Sequence, residues 1–163
     1  MNDVKVLNKK GFTLIELLAV IIILAVLMML AGNSVINIMM NTRRSAFRTE
    51  FLALLDSAQL KAQTDMLGGK ELQKGGSTVC YCIGSACSSS SKKLDTFDNK
   101  GDYTGSVLVT NNGSGALTFK GWMYSSSYAI EDKDSSVKDD STDVIDVSTA
   151  KVTTDAKRMA CNK

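Results

Sequence analysis

Glu16 is a carboxylate in a position where a charge is costly. It lies inside the apolar segment that runs from Phe12 to Ala31. On insertion scales a charge near hydrocarbon costs on the order of 2–3 kcal/mol, so such a group is retained where it has a partner and a purpose. Glu16 is therefore the first candidate functional residue of the chain.

Histidine is absent from the sequence. The commonest general base, the usual catalytic triads and most catalytic zinc sites are excluded with it. We find no pairing of a nucleophile with a base among the other residues, which disfavours the alternative of an enzyme held on a membrane anchor. The sequence predicts a protein that is not an enzyme and that has no cofactor and no metal site.

The chain contains four cysteines, and all of them lie after the apolar segment. An even number of cysteines is typical of disulfide pairing when this part of the chain is exported. We expect Cys80 and Cys82 to point to opposite faces of a strand and therefore to have different partners. Zinc binding by the four thiols, or free thiols, remains an alternative for Cys80, Cys82, Cys87 and Cys161.

The element that carries Glu16 has the length of a membrane-spanning helix. Residues 17–31 are apolar without interruption, and a helix from Phe12 to Ala31 rises roughly 30 Å, the thickness of a bilayer core. Three lysines precede the apolar segment, which predicts that this end stays in the cytoplasm and that the rest is exported. No cleavage site of small residues follows the segment, so we expect the helix to be retained. The lysines are Lys5, Lys9 and Lys10.

Residues 9–18, with the sequence KKGFTLIELL, resemble the class III signal of type IV prepilins and pseudopilins. The resemblance identifies Lys9, Lys10, Gly11 and Phe12 as a processing site. It implies that a prepilin peptidase cleaves after Gly11 and that Phe12 is then N-methylated. Glycine suits this position because a residue without a side chain lets the backbone approach a protease closely.

The resemblance also gives Glu16 a role in assembly. In this family the carboxylate pairs with the amine of a neighbouring subunit, which here is the amine of Phe12, and fixes the axial register. A buried pair of this kind contributes specificity more surely than stability. The sequence departs from the family in having no proline, and Gly32-Asn33-Ser34 stands where typical members carry one. These residues disfavour helix, so a local bend or melting is expected there.

The function implied by the resemblance is that of a structural subunit of a type IV pilus. Subunits would wait in the plasma membrane, and an assembly ATPase with a platform protein would polymerise them into an extracellular filament for adhesion, aggregation or motility. The alternative is a pseudopilin of a type II secretion or competence system for DNA uptake. A net charge of +2 gives no reason to expect nucleic acid as the primary partner.

The spacing of apolar residues predicts that the helix continues into an amphipathic second half. Residues at intervals of three and four form one stripe, and Gly68-Gly69 is expected to end the helix. We therefore divide the chain into a leader (1–11), a membrane and filament-core helix (12–33), an amphipathic helix packed on a head (34–67) and a β-rich head (68–163). The stripe consists of Phe47, Phe51, Leu54, Leu55, Ala58, Ala62 and Met66.

The fold class predicted for the whole is α+β, a long N-terminal helix packed on a small antiparallel sheet. Expected strands are 77–83, 106–110, 116–124 and 144–147, and Asn111-Asn112-Gly113 predicts a hairpin turn. The face of the sheet expected to cover the helix holds Val107, Val109, Leu117, Phe119 and Trp122. For Trp122, a place in the core or at its rim is a better interpretation than a platform for a ligand.

Three further groups have open interpretations. Arg43, Arg44 and Arg48 either form a solvated or headgroup-contacting face or pair with acidic residues of adjacent subunits. The polar segment 131–143 is expected to be a loop, as are the serine tracts 88–91 and 125–127. The carboxylates of segment 131–143 could bind calcium, although two lysines interrupt the segment.

By resemblance to many pilins, Cys161 would tie down a C-terminal loop through a disulfide to one of the other three cysteines.

Overall fold

The structure is a computed structural model, and it describes residues 11–69, 72–98, 103–138, 140 and 142–147, apart from the side chains of residues 30–34. Lys9 and Lys10 of the predicted processing site lie outside the described residues, and so does Cys161. The chain divides between Met40 and Asn41 into two compact units. Each unit is taken by itself below.

Helix α1 extends from Leu14 to Leu67. It is helical through residues 32–34, so the expected melting at Gly32-Asn33-Ser34 does not occur. Every described side chain of the first unit, from Gly11 to Met40, is exposed. Within the part of the chain that the structure describes, no helix has both the length and the apolar character needed to cross a membrane.

In the second unit, α1 buries the predicted stripe. Six of the seven residues are at most 5% exposed and Met66 is half-buried. Spacings of three and four place these side chains on one face of the helix, which is why the period predicted the buried face. The helix ends where expected: the Gly68 N–H donates to the Thr64 carbonyl (3.0 Å), and Gly69 has a φ of 70°. Glycine adopts this left-handed conformation without a steric penalty.

A six-stranded sheet forms the rest of the second unit. Its strands are β1 (Thr78–Ile83), β2 (Lys92–Lys93), β3 (Thr104–Asn111), β4 (Leu117–Tyr124), β5 (Tyr128–Lys133) and β6 (Ile145–Asp146). The order across the sheet is β2-β1-β3-β4-β5-β6. All neighbouring strands are antiparallel except β1 and β2, which are parallel. The α+β fold and the hairpin between β3 and β4 are as predicted.

Strand β5 was not predicted, because half of it falls in the segment expected to be a polar loop. Glu131 and Asp132 continue the strand with their side chains exposed, and the Lys120 Nζ lies 3.1 Å from an Asp132 carboxylate oxygen on the neighbouring strand. A register shift between Gly121 and Met123 accompanies this pairing. The apolar part of β5 is only Tyr128-Ala129-Ile130, which is too short to show a clear alternation.

The strand register corrects two expectations about which face a side chain occupies. Successive side chains of a strand alternate between faces, so residues two apart share one. Cys80 and Cys82 therefore lie on the same face of β1, and Tyr81 is buried on the other, against the helix. The expectation that the two cysteines face opposite sides was wrong. Trp122 alternates with Gly121 and Met123, so it lies on the face away from the helix and is half-buried.

Two glycines bring the helix close to the centre of the sheet. A Cβ at Gly121 would lie 2.8 Å from ring atoms of Phe51 and 2.9 Å from Leu55. A Cβ at Gly105 would lie 2.8 Å from Leu54 Cδ2. Both distances are below van der Waals contact, so the large helix residues pack in the space that a side chain on the strand would occupy.

We expect Gly121→Ala to destabilise the second unit by roughly 1–3 kcal/mol, because the added methyl overpacks a core that is already full. Urea unfolding of the full-length chain in detergent, followed by the fluorescence of the single tryptophan, measures the change. Thr118→Ser on the exposed face of the same strand is the control, with an expected effect within about 0.5 kcal/mol. Equal stability of the glycine variant and the parent would contradict the proposed packing.

Candidate functional site

Helix α1 begins with a capping box formed by Thr13 and Glu16. The Glu16 N–H donates to the Thr13 Oγ1 at 3.3 Å, and Glu16 Oε2 accepts from the Thr13 N–H at 3.0 Å. The Thr13 hydroxyl also donates to Oε2, at 3.0 Å. A threonine followed three residues later by glutamate satisfies two backbone donors at a helix start. The carboxylate that was expected to act in assembly therefore also fixes the first turn of the helix.

The surface around this capping box is apolar and exposed. Phe12 is 89% exposed and Leu14 is 84% exposed, and no ion pair of Glu16 is found in the described part of the chain. The apolar exposure continues along residues 17–29 and 35–40. Exposed apolar surface of this extent is typical of a segment that contacts a membrane or another protein. The structure thus presents Gly11, Phe12 and Glu16 together at an uncovered helix end.

One disulfide closes a short loop after β1. Cys82 and Cys87 are bonded with an S–S distance of 2.08 Å, and the Ser91 hydroxyl donates to the Cys82 Sγ at 3.3 Å. Cys80 is disulfide-bonded as well. The structure leaves no free thiol at Cys80, Cys82 or Cys87. For these three cysteines the zinc and free-thiol alternatives are wrong, since a bonded sulfur is no longer a thiolate ligand.

Cys80 is disulfide-bonded, and Cys82 and Cys87 are bonded to each other. We therefore expect Cys80 to be bonded to Cys161, the fourth cysteine of the sequence. Chymotrypsin cleavage after Tyr81, without reduction, separates Cys80 from Cys82 for mass spectrometry. Cys161→Ser should destabilise the chain by about 2–4 kcal/mol. A peptide in which Cys80 is joined to Cys82 or Cys87, or one with Cys161 reduced, would contradict this pairing.

A buried ionic cluster joins the end of α1 to the first two strands. Asp65 is 6% exposed, and its Oδ2 accepts hydrogen bonds from Lys92 Nζ at 2.9 Å and from the Tyr81 hydroxyl at 3.1 Å. Lys61 lies 3.5 Å from the other oxygen. Burial acts to raise the pKa of Asp65, but the hydrogen bonds and positive charges outweigh it and lower this pKa. This cluster was not predicted, although Asp65 lies between Ala62 and Met66 of the predicted stripe.

The lowered pKa of Asp65 predicts a loss of stability in acid. Because the carboxyl has a lower pKa in the folded chain than in the unfolded chain, its contribution is complete above the unfolded value and is lost as the pH falls through the folded value. The free energy of unfolding of the parent should therefore fall more steeply from neutral pH to about 3 than that of Asp65→Asn.

Urea unfolding at a series of pH values measures this difference. At neutral pH, Asp65→Asn should cost roughly 1–3 kcal/mol, because Lys92 loses its charged acceptor in a half-buried place. Asp95→Asn is the control, since Asp95 pairs with Lys93 at the surface, where both side chains are more than 70% exposed. Parallel pH profiles for the parent and Asp65→Asn would exclude a stabilising role for the buried charge.

The three arginines differ in their surroundings. Arg48 Nε donates to the Val137 carbonyl at 2.6 Å, so this side chain is tied to a loop of its own chain. The Nε of Arg44 is buried and makes no hydrogen bond in the described part of the chain. Arg43 is exposed. Both sequence interpretations, a solvated or headgroup-contacting face and pairing with adjacent subunits, stay predictions.

The carboxylates of the acidic segment are engaged in local contacts. Asp134 accepts from the Ser136 N–H at 2.8 Å, and Asp143 accepts from the Lys138 N–H at 2.8 Å. Lys133 Nζ lies 2.6 Å from an Asp143 oxygen, and this bond raises the pKa of Lys133 and lowers that of Asp143. Among the described residues no three acidic or cysteine side chains are grouped to hold a metal. Asp139 lies outside the described residues.

Comparison with known proteins identifies the amino-terminal segment. Residues 7–32 match the family model of the prokaryotic N-terminal methylation motif, the class III signal of type IV pilins and pseudopilins. The match includes the predicted processing residues and Glu16, and it covers only this segment. No curated protein and no solved structure matches the chain. This motif is found at the amino terminus of type IV pilins and pseudopilins, and it does not distinguish between the two.

Proposed function

We propose that this chain is a type IV pilin, cleaved by a prepilin peptidase after Gly11, N-methylated at Phe12 and polymerised through its N-terminal helix into a surface filament. The observation that carries the proposal is the methylation motif at residues 7–32 on a helix start that is apolar and exposed. Cleavage after Gly11 would leave Phe12 as the first residue, with a free amine. Glu16 would then be the fifth residue of the mature chain.

The exposed apolar helix suits two successive surroundings. Apolar side chains such as Ile21 (53% exposed) and Leu27 (56% exposed) keep about half of their surface in contact with solvent. Transfer of apolar surface out of water is favourable by about 25 cal/mol per Å², whether the cover is lipid or other helices. We therefore infer that the plasma membrane covers this helix before assembly and that copies of the same helix cover it in the extracellular filament.

The capping box gives the assembly role of Glu16 a specific geometry. Both hydrogen bonds from Thr13 reach Oε2, so Oε1 is the oxygen that would accept from the amine of Phe12 in a neighbouring subunit. A carboxylate accepts several hydrogen bonds at once, and an ammonium partner neutralises a charge that is otherwise costly in apolar surroundings. The cap would hold the carboxylate in place while the amine of the neighbour sets the register.

The proposed partners follow from this cycle. The prepilin peptidase would act at Gly11, an assembly ATPase with a platform protein would move subunits out of the membrane, and other copies of the chain would form the filament. The second unit would then lie at the filament surface and serve adhesion, aggregation or motility. A pseudopilin would share the motif and differ in forming a short fibre.

Substitutions at Glu16 test the charge separately from the cap. Glutamine keeps the capping box, since Gln caps as Glu does, but it removes the charge; alanine removes both, and Thr13→Ala removes the cap hydroxyl alone. If Glu16 pairs with an amine, Glu16→Gln and Glu16→Ala should both reduce the filament yield strongly, roughly tenfold or more for a lost interaction of this class. Thr13→Ala should retain most of it.

The readouts are the filaments sheared from cells that produce each variant, seen by electron microscopy, and the mature N terminus by mass spectrometry. Methylated Phe12 in the dominant band of long filaments is the expected result for the parent. Normal filaments from Glu16→Gln would refute the pairing role and leave only the cap. Processed subunits without long filaments in any condition would favour the pseudopilin. A chain from which the leader up to Gly11 has not been cleaved would refute the proposal.

A further inference from the structure

The tip of the β3–β4 hairpin carries a chemically reactive pair of residues. Residues 112–116 connect the two strands and are exposed, and Asn112 is followed directly by Gly113. An asparagine side-chain amide can be attacked by the peptide nitrogen of the next residue, and glycine offers the least steric hindrance to that attack because it has no Cβ. An exposed Asn-Gly pair in an unstructured chain is therefore prone to deamidation.

In this hairpin the attacking nitrogen is already engaged. The Gly113 N–H donates to the Asn111 Oδ1 at 2.8 Å. The Asn111 side chain is itself fixed, because its Nδ2 donates to the Leu72 carbonyl at 2.5 Å and the residue is 2% exposed. Attack requires the Gly113 nitrogen to give up its proton and to turn toward Cγ, the side-chain carbonyl carbon of Asn112. The hydrogen bond to Asn111 opposes both movements.

The backbone around the tip is held as well. The Asn111 N–H donates to the Ser77 carbonyl at 3.0 Å, and the Asn111 carbonyl accepts from the Gly76 N–H at 2.7 Å. Gly75 lies so close to Gly113 that a Cβ built on Gly75 would be 2.6 Å from the Gly113 Cα. The segment between α1 and β1 therefore packs on the hairpin and limits the rotation of the Asn112-Gly113 peptide.

We propose that Asn112 is a site of non-enzymatic deamidation whose rate is held down by the Asn111 side chain. In the reaction the Gly113 nitrogen bonds to the Asn112 Cγ and loses its proton, and the side-chain nitrogen leaves as ammonia. Solvent water then opens the resulting succinimide at either carbonyl to give aspartate or isoaspartate. The product adds one negative charge at the hairpin tip, and isoaspartate also lengthens the backbone there. This inference does not depend on the proposed function.

The test compares deamidation in the full-length chain in detergent at mildly alkaline pH, with the fraction of deamidated Asn112 followed by peptide mass mapping. The folded parent is compared with the same chain unfolded in urea, and with Asn111→Ala and Asn111→Asp in the folded state. Asn111→Asp keeps an oxygen acceptor for the Gly113 N–H but loses the donor to Leu72. Asn112→Ser is the control that should abolish the signal.

We expect the folded parent to deamidate more slowly than the unfolded chain, and Asn111→Ala to be faster than the parent by roughly threefold to tenfold, the effect of losing one hydrogen bond. Asn111→Asp should be faster than the parent but slower than Asn111→Ala, because it keeps the acceptor for the Gly113 N–H and loses the bond to Leu72. All folded samples are kept well below their measured melting temperatures, so that global unfolding does not contribute.

Each other outcome overturns part of the proposal. Equal rates for the folded parent and the unfolded chain would show that the hairpin gives no protection. A parent rate for Asn111→Ala would show that Asn111 is not the protecting group. Equal acceleration in Asn111→Ala and Asn111→Asp would assign the protection to the packing of the hairpin rather than to the acceptor oxygen.

Discussion

The close contact between the second half of α1 and a sheet with glycine at its centre determines the arrangement of the second unit. Phe51 and Leu54 occupy the space above Gly121 and Gly105, and this contact sets the distance between helix and sheet. The other contacts described for the helix need that distance: the Arg48 bond to the Val137 carbonyl and the Asp65 bond to Tyr81 both join α1 to parts of the head. A larger residue at either glycine would push the helix away from the sheet and lengthen both of these hydrogen bonds.

The helical part of the fold was predictable because its signal is local and periodic. The stripe from Phe47 to Met66 repeats at helical spacing over several turns, and the glycines that end the helix follow it directly. The sheet was predictable only in outline. Strand β4 alternates in burial over all eight residues and β3 over its last five, whereas β2 is two residues long and carries no pattern. The existence of β2 depends on its pairing with β1, which a single sequence does not reveal.

The candidate site shows the same division between local and distant information. Gly11, Phe12, Thr13 and Glu16 are contiguous or one turn apart. The Thr13–Glu16 cap was not predicted, although a threonine followed three residues later by glutamate is its signature, and processing at Gly11 stays a prediction. The pairing of the cysteines was harder to predict, because the face of a strand decides which sulfurs meet. Cys80 and Cys82 are two residues apart and share a face, contrary to the prediction. The Asp65 cluster joins residues 27 positions apart and has no signature in the sequence beyond a carboxylate on an apolar stripe.

The position of the hydrophobic core along the chain has a consequence for the order of folding. Within the described residues, every buried apolar side chain of the core lies at or after Phe47. The second unit can therefore complete its core while the segment before Met40 is still held elsewhere. No side chain of that core lies in the described part of this segment, so the core does not have to form again when the surroundings of the segment change.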